Sequence, residues 1–446
     1  MTFDDRLKNV SIVGAAGKMG SGIALLLAQE MVTQKLKPEN KNQIYRLHLI
    51  DVNESALDGL QSYLKSQLVK AGEKVTGMLR ELYKEHADLI ENYDVIDAFV
   101  NDAMSVLRLG TDLGAVKDSK IIFEAVLEDK DLKVSLLKNM EKMVSPDTVY
   151  FTNTSSIPIS VLNKDANLGG RIIGFHFYNP PAVQRLVELI SPESTKPELK
   201  DMALEMAKRL RKKIVPSNDI AGFIGNGHFL RDGLYAIREA KKLAGEYTLP
   251  GALYAMNKVS QDLLVRPMGI LQLIDYVGVD VYQCISVTIS GYLQGEDLKD
   301  DLLAKMTQKK VLGGQFADGS QKNGFLKYEK NRPVGIYDAD KGEYKMFDPN
   351  GWSGEIDKKL GAYPQGFYPW RSLLMDPKKG EKLSAFFKNL NASDTPGAKL
   401  AKGYLKNSKS IGEFLVKTGV AKSAQDVNDI LLNGFYHLYG PINDYV

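Results

Sequence analysis

The feature that most constrains the fold of this chain is an apolar strand that runs straight into a glycine-rich turn and then into a helix. The strand is NVSIVG at residues 9–14, the turn ends at Gly20, and the helix begins SGIALLLAQEM. Small residues in such a turn let backbone N–H groups approach a pyrophosphate at the positive end of a helix. The G-x-x-G-x-x-G spacing is longer than the commonest dinucleotide-binding form, so the turn alone fits a tight structural turn equally well. The candidate cofactor contacts in it are Gly14, Gly17, Lys18, Met19 and Gly20.

The second apolar strand, RLHLIDVN, ends in an acidic residue, Asp51. A carboxylate at this position can accept hydrogen bonds from both hydroxyls of an adenosine ribose and would repel a 2′-phosphate, which favours NAD over NADP. The polar stretch QKLKPENKNQIY precedes this strand, so Asp51 lies further from the glycine turn than the usual ~20 residues. The alternative interpretation is that Asp51 caps a helix that starts near Glu54.

Further along the first half of the chain, strands continue to alternate with helices. KIIFE predicts a third strand, a helix carrying Lys133 follows it, and VSPDTVYFTNTSS predicts a fourth strand. Such alternation predicts a doubly wound parallel sheet, which binds ligands at the carboxyl ends of its strands. Asp51, Glu128 and Ser155 would all lie near that edge. Residues 54–106 are charged and helical in pattern, and we expect them to form an arm of two helices.

Polar side chains interrupt two later apolar strands. His176 lies inside RIIGFHF, and Glu188 lies inside RLVELI. A histidine can accept a proton near neutral pH because its unperturbed pKa is about 6.5. A carboxylate on its far ring nitrogen would keep the near nitrogen available as a base. A single histidine among apolar residues is more often a satisfied core residue, so the neighbouring motifs must decide between the two interpretations.

Length and composition bound the class of protein. The chain has 446 residues, which is too long for one ordinary core, and a net charge of +3, which gives no argument for nucleic-acid binding. The single cysteine, Cys284, fits a reducing compartment. No apolar run reaches the roughly 18 residues of a membrane-spanning helix, and the first strand begins near Asn9, so we expect a cytoplasmic protein with no membrane partner. The five histidines show no metal-ligand spacing, and no metal is expected.

The domain organisation follows from where the strands stop. KIVPS closes the alternating region near residue 217, and DIAGFIGNGHFLRDGLYAIREAKKLA begins a helical region. Two later segments, ALYAMNKVSQDLLVRPMG and AQDVNDILLNGFYHLYG, form a weak repeat in which Met256 and Val427 stand equally far before a glycine. We expect a first domain at 1–216 with the arm at 54–106, a helical domain at 217–330, and a connector with a second partial helical repeat at 331–446.

Taken together, these motifs resemble the 3-hydroxyacyl-CoA dehydrogenase family over residues 9–328 and, more weakly, over 415–446. The strongest matches are EAVLEDKDLK, TNTSS, GFHFYNPPAVQRLVELI, DIAGFIGN and RPMGILQLIDYVGVD. The resemblance implies a Rossmann-like NAD-binding domain followed by an all-α domain like the C-terminal domain of 6-phosphogluconate dehydrogenase, here duplicated. It also implies NAD-dependent oxidation of (S)-3-hydroxyacyl-CoA to 3-oxoacyl-CoA, in fatty acid β-oxidation or a related process, with acyl-CoA as the substrate.

The resemblance further implies a role for each residue that matches a family motif. His176 would be the catalytic base, and Glu188 the carboxylate that orients it. Ser155 would contact substrate and nicotinamide, Asn179 would help to bind cofactor and substrate, and Asn226 in the helical domain would complete the site. Two residues of the E-x-x-x-x-K stretch match cofactor contacts, namely Glu128 and Lys133.

The chain departs from the family pattern in four places. Its glycine turn has an extra residue, the insertion before Asp51 and the enlarged arm at 54–106 are unusual, the late K-T-G-x-G-F motif remains only as Lys322-Asn323-Gly324-Phe325, and a second helical repeat is present. In short members the helical domain dimerises, so the second helical repeat leaves open a homodimer or a monomer with an internal pseudo-dimer.

Two other functions remain open beside the acyl-CoA dehydrogenase. One is a dehydrogenase of a small non-CoA hydroxy acid, as in the gulonate dehydrogenase branch, with which HFYNPP is shared. The other is a non-catalytic homologue that binds NAD or acyl-CoA. A basic cluster on the arm would favour the CoA substrate, and the sequence leaves the acyl chain length open.

Overall fold

The computed structural model of the protein describes residues 1–293, 295–316 and 319–445. The chain forms two compact units, Met1–Asp219 and Ile220–Val446. The expected boundary at 216/217 falls close to the division between them. The expected division at 330/331 falls inside the second unit, because residues on both sides of it share one apolar core.

The first unit is built on an eight-stranded sheet. Its strands are β1 (Asn9–Val13), β2 (Arg46–Ile50), β3 (Leu107–Gly110), β4 (Ile121–Glu124), β5 (Val149–Thr152), β6 (Ile172–Phe177), β7 (Leu186–Ile190) and β8 (Lys213–Ser217). The strand order is β3-β2-β1-β4-β5-β6-β7-β8, and neighbours run parallel except for the antiparallel pair β6–β7. The predicted doubly wound sheet is confirmed, apart from that pair. The order reverses between β1 and β4, where sheets of this kind open a ligand crevice at the carboxyl ends of their strands.

Helices connect these strands. They are α1 (Phe3–Leu7), α2 (Lys18–Lys35), α3 (Glu54–Lys74), α4 (Thr76–Leu82), α5 (Asn92–Ser105), α6 (Lys130–Glu141), α7 (Ile159–Asp165) and α8 (Pro197–Arg209), with short 3₁₀ helices at Pro38–Asn40 and Leu113–Asp118. The arm therefore consists of three helices, α3 to α5, where the sequence pattern predicted two. It is tied to α2, because Asp102 accepts hydrogen bonds from the Tyr83 hydroxyl at 2.7 Å and the Lys35 ammonium at 2.9 Å.

The central strands carry apolar side chains on both faces of the sheet. Every residue of β4, β5, β6 and β7 is buried, as expected for strands covered by helices. On one face, the Phe175 ring lies 5.3 Å from the Phe151 ring and 5.1 Å from the Phe177 ring, measured between centroids. Because side chains alternate along a strand, His176 points to the opposite face.

The second unit is mainly helical. Its helices are α9 (Phe223–Tyr247), α10 (Leu249–Asp262), α11 (Ile270–Val277), α12 (Val279–Tyr292), α13 (Asp301–Gln308), α14 (Trp352–Leu360), α15 (Trp370–Leu373), α16 (Lys379–Ala392), α17 (Pro396–Lys417) and α18 (Ala424–Gly434). In the described part of the chain no single helix is long and apolar enough to cross a membrane, although α11 and α12, bent by 90° at their junction, pass that length and composition test as a pair.

A small antiparallel sheet corrects the expectation of an all-α second region. Its strands are β9 (Leu326–Glu329), β10 (Arg332–Asp338) and β11 (Glu343–Met346), in the order β11-β10-β9. The β9–β10 turn places Lys330 and Asn331 at φ values of 48° and 64°. Positive φ at both central residues is the geometry of tight hairpins. Because Lys-Asn lacks the glycine usual in such turns, these two residues are only a weak signal for a hairpin.

The two repeat segments make the same local contacts. A Cβ on Gly269 would lie 2.3 Å from Oδ1 of Asn257, and a Cβ on Gly440 would lie 2.2 Å from Oδ1 of Asn428. Each amide oxygen also accepts a backbone hydrogen bond two residues after the glycine, from Leu271 in the first segment and Ile442 in the second, both at 3.0 Å. We propose on this basis that the helical region is duplicated.

Candidate active site

The glycine turn after β1 has a shape that only glycine permits at two positions. Gly14 has φ of +83°, and a Cβ on it would lie 2.6 Å from the carbonyl oxygen of Ala125. A Cβ on Gly20 would lie 2.1 Å from the carbonyl oxygen of Gly14. Helix α2 begins at Lys18 with Gly17 as its N-cap and with no side-chain cap. Backbone N–H groups of its first turn have no partner within the helix, which is the arrangement that holds a pyrophosphate.

Asp51 follows β2 and braces the glycine turn. Its Oδ2 accepts a hydrogen bond from the backbone N–H of Ala16 at 3.0 Å, and its Oδ1 accepts one from Asn53 at 3.2 Å. Helix α3 is capped by Asn53, which accepts from the N–H of Ala56, so the alternative in which Asp51 caps this helix is wrong. A carboxylate can accept about four hydrogen bonds. Asp51 therefore retains the capacity to accept two ribose hydroxyls.

We expect the charge of Asp51 to set the preference between the two dinucleotides. Replacing Asp51 by asparagine removes the repulsion of a 2′-phosphate, so the ratio of the NADPH and NADH dissociation constants should fall about tenfold, a change of ~1.4 kcal/mol. Fluorescence titration with each reduced dinucleotide measures it. The Asp58→Asn variant, at an exposed position of α3, removes the same charge and should leave the ratio unchanged. An unchanged ratio in Asp51→Asn would contradict this role.

The antiparallel pairing of β6 and β7 brings His176 and Glu188 together. The two residues are direct cross-strand partners, and Nδ1 of His176 lies 3.3 Å from Oε2 of Glu188. The histidine is 7% exposed and the glutamate 0%. A buried carboxylate at Nδ1 favours the tautomer in which Nδ1 carries the hydrogen, so Nε2 is the ring nitrogen suited to accept a proton.

A tyrosine that sequence reasoning missed contacts the same carboxylate. The hydroxyl of Tyr178 donates to Oε2 of Glu188 at 3.0 Å, and its ring centroid lies 5.0 Å from that of His176. Burial, reinforced by the negative charge of Glu188, raises the pKa of Tyr178 well above its usual value. The hydroxyl therefore remains a proton donor across the working pH range. The available signal was its position two residues after His176, which places both rings on one side of the strand.

The turn that follows β5 is held by Glu128. Oε1 of this carboxylate accepts hydrogen bonds from the Thr154 hydroxyl at 2.7 Å, the Ser155 N–H at 2.8 Å, and the Ser156 N–H and hydroxyl at 2.8 and 2.7 Å. Burial alone would raise the pKa of Glu128, but the Lys133 ammonium and these hydrogen bonds lower it below the usual range. Glu128 is therefore ionised and fixes the backbone on which Ser155 stands.

Lys133 is buried beside two acidic side chains, Glu124 and Glu128. Its ammonium is 2.7 Å from Oε1 of Glu124 and 3.5 Å from Oε2 of Glu128, and its side chain is 1% exposed. It also donates to the carbonyl oxygen of Val126. The role of direct cofactor contact that the resemblance implied does not fit this burial, and the geometry indicates that Lys133 acts through Glu128. Glu124 was not identified from the sequence, although an acid at the end of the apolar strand KIIFE was a signal for it.

Glu124 extends this network to the neighbouring strand. Its Oε2 accepts a hydrogen bond from the Thr152 hydroxyl on β5 at 2.6 Å, and its side chain is fully buried. Asn153, the next residue, accepts a hydrogen bond from the N–H of Phe177 at 2.9 Å. The carboxyl ends of β4, β5 and β6 are thereby joined by side-chain hydrogen bonds beside His176.

Two further predicted residues and the late motif lie elsewhere in the chain. Asn179 is partly exposed just past the end of β6, three residues after His176. Asn226 lies in the first turn of α9, in the second unit. The remnant of the late K-T-G-x-G-F motif, which ends at Phe325, is bound to α11. There Asp275 accepts hydrogen bonds from the backbone N–H groups of Phe325 and Leu326 at 2.6 and 2.8 Å.

A glycine turn after β1, an acid after β2 and a histidine–carboxylate pair near the carboxyl end of β6 are the features expected of an NAD-binding dehydrogenase of the Rossmann type. The sequence model of one family, described as 3-hydroxyacyl-CoA dehydrogenase, NAD binding domain, matches residues 9–220. The chain belongs to the 3-hydroxyacyl-CoA dehydrogenase family.

Known relatives agree with this assignment. The 3-hydroxybutyryl-CoA dehydrogenase of Mycobacterium tuberculosis is 30% identical over 286 residues, which cover 64% of this chain and 87% of that protein. The human mitochondrial hydroxyacyl-coenzyme A dehydrogenase is 28% identical over 280 residues, covering 63% and 79% of the two chains. The crystal structure of Escherichia coli 3-hydroxybutyryl-CoA dehydrogenase has 19% identity and a TM-score of 0.63 over 98% of this chain and 90% of its own, which shows a shared fold along nearly the whole length. The protein is an NAD-dependent oxidoreductase.

Proposed function

We propose that the protein oxidises (S)-3-hydroxyacyl-CoA to 3-oxoacyl-CoA, with His176 as the general base. The observation that carries the proposal is the buried pairing of His176 with Glu188, 3.3 Å apart, on the sheet edge that also holds the glycine turn. A base on that edge and a cofactor held there can act on one hydroxyl-bearing carbon.

Each residue of the candidate site has its own role in the proposed reaction. Nε2 of His176 takes the hydroxyl proton, and the carboxylate of Glu188 stabilises the imidazolium that forms. Ser155 and Asn179 orient the substrate oxygens. Bound NAD supplies the hydride acceptor. General base catalysis contributes roughly 10²–10⁴-fold, and positioning of the reacting groups supplies much of the remaining acceleration.

Two observations support a CoA substrate over a small hydroxy acid. The relatives above are named for hydroxyacyl-CoA substrates. The arm also exposes Lys65 and Lys70 on α3, and exposed cations are groups that can pair with phosphates such as those of CoA.

A substrate panel tests the proposed function. We expect NADH to form with 3-hydroxybutyryl-CoA and with longer (S)-3-hydroxyacyl-CoA thioesters, at kcat/KM values at least ~100-fold above those for free 3-hydroxybutyrate or gulonate, because only the thioesters offer the CoA contacts. Faster turnover of the free acids would establish the small-acid alternative. Tight NADH binding without turnover of any of these substrates would favour the non-catalytic one.

We also propose that the protein is a monomer with an internal pseudo-dimer. Within the second unit, α9 packs against α17 through buried polar groups. Arg266 pairs with Asp232 of α9 at 2.6 Å and donates to the hydroxyl of Ser408 of α17 at 3.1 Å, and the Tyr404 hydroxyl of α17 donates to the carbonyl oxygen of Asp232 at 2.9 Å. Burial lowers the pKa of the adjoining His228 to about 4, so this histidine is neutral in the cluster. The face of α9 that these groups occupy is thus covered from within the chain.

Light scattering tests the oligomeric state. We expect the mass of one chain at every concentration tried, because α17 covers that face of α9. A mass of two chains that persists on dilution would contradict the monomer and leave the proposed reaction untouched.

A further inference from the structure

The glutamate that faces His176 binds two donors through one oxygen. Oε2 of Glu188 accepts from the Tyr178 hydroxyl at 3.0 Å and lies 3.3 Å from Nδ1 of His176. Glu188 is fully buried and Tyr178 is 9% exposed, so both contacts form in a region of low dielectric, where hydrogen bonds to a charge are strong. Tyr178 is not among the residues to which the family resemblance gave a role.

Two donors on one carboxylate oxygen compete for its negative charge. A hydrogen bond to an ionised group is stronger than one between neutral groups, and each such bond reduces the charge that the other partner experiences. Glu188 without Tyr178 would therefore hold a protonated His176 more tightly. A general base works best when it also releases its proton near the operating pH.

We propose that Tyr178 is a positioning residue that fixes the Glu188 carboxylate and moderates its hold on protonated His176. The inference rests on the proposed function, in which His176 is the base, and deepens it by making the dyad a buried tyrosine–glutamate–histidine relay. Tyr178 itself exchanges no proton with the substrate.

The charged groups at the neighbouring turns and helices of the first unit have partners of their own. Lys212 donates to the carbonyl oxygens of Pro181 and Gln184 at 2.6 and 2.7 Å, and burial lowers its pKa to about 8. Glu128 holds the turn after β5, and Asp219 accepts from the N–H groups of Ile159 and Ser160 on α7 at 2.5 and 2.8 Å. Any contribution of Lys212 to a pH profile therefore falls on its basic side, away from the acidic limb on which the Tyr178 test is read.

The Tyr178→Phe variant tests the relay, because it keeps the ring and removes only the hydroxyl. We expect the acidic limb of the kcat/KM profile to move to higher pH by about 0.5–1 unit. The ring resonances of His176, assigned by their loss in His176→Gln, should shift their titration in the same direction in the protein without substrate. Thermal unfolding confirms that the variant is folded.

The control is a tyrosine with the same kind of bond elsewhere in the same unit. Tyr150 is fully buried and donates to Oε2 of Glu141 at 2.9 Å, and Glu141 pairs with Arg171. The Tyr150→Phe variant should lose similar stability and leave both titrations in place. A Tyr178→Phe profile that superimposes on the wild type, or a shift of equal size in Tyr150→Phe, would overturn the inference. If the wild type turned over no substrate, the proposed reaction would fail, while the histidine titration would still decide the role of Tyr178.

Discussion

Replacing His176 by glutamine is expected to lower kcat with 3-hydroxybutyryl-CoA by roughly 10²–10⁴-fold, the usual contribution of a general base. Glutamine keeps the approximate size and polarity of the side chain but cannot take a proton at neutral pH. The loss should fall on kcat more than on KM, because the proton moves in the transition state and not on binding. Steady-state NADH formation measures both parameters.

The matched control for this variant is His48→Gln. His48 lies half-buried on β2 in the same sheet, so its replacement tests whether any strand histidine matters for activity. We expect wild-type kcat in His48→Gln and an unchanged NADH dissociation constant in both variants. A His176→Gln enzyme that turns over within a few-fold of the wild-type rate would show that another group is the base.

The second large effect is expected from Lys133→Met. Lys133 is 1% exposed between Glu124, which is 0% exposed, and Glu128. Removing one partner of a buried ion pair costs about 3–5 kcal/mol, because the remaining charge stays desolvated. We therefore expect the free energy of unfolding of the first unit to fall by that amount in chemical denaturation. Activity should fall as well, since Glu128 holds the turn that carries Ser155.

Lys130 supplies the control within the same helix. It pairs with Asp165 at 2.8 Å, with side-chain exposures of 43% and 34%, and exposed pairs contribute about 0–1 kcal/mol. Lys130→Met should therefore change stability little. Adding Glu124→Gln to Lys133→Met removes one of the uncompensated charges and should restore part of the loss. Equal stabilities of the two single lysine variants would refute the buried network.

The parts of the fold that local sequence pattern specifies were predictable. The glycine turn at Gly14–Gly20 and the alternation of apolar strands with helices predicted a doubly wound sheet, and the structure contains it. The antiparallel direction of β7 relative to β6 was not predictable from the hydrophobic pattern, because a buried strand shows the same apolar run in either direction. That reversal makes His176 and Glu188 direct partners.

The residues of the candidate site were predictable where a polar side chain interrupts an apolar strand. His176 and Glu188 interrupt apolar runs, and the family resemblance gave them roles. Tyr178 and Glu124 each carried a weak positional signal, but they were missed because their importance lies in which oxygen or ammonium they contact, and sequence spacing does not encode such contacts. The burial of Lys133 was missed for the same reason: a lysine on a charged helix reads as solvated until the strands beside it are in place.

The most direct test of the proposed reaction follows the hydrogen atom at C3 of the substrate. The wild-type protein would be incubated with NAD and (S)-3-hydroxybutyryl-CoA deuterated at C3, and the reduced cofactor would be analysed by mass spectrometry. We expect the deuterium to appear in NADH and the acyl product to be 3-oxobutyryl-CoA. Reduced cofactor without deuterium, or deuterium retained in the acyl product, would contradict the proposed reaction.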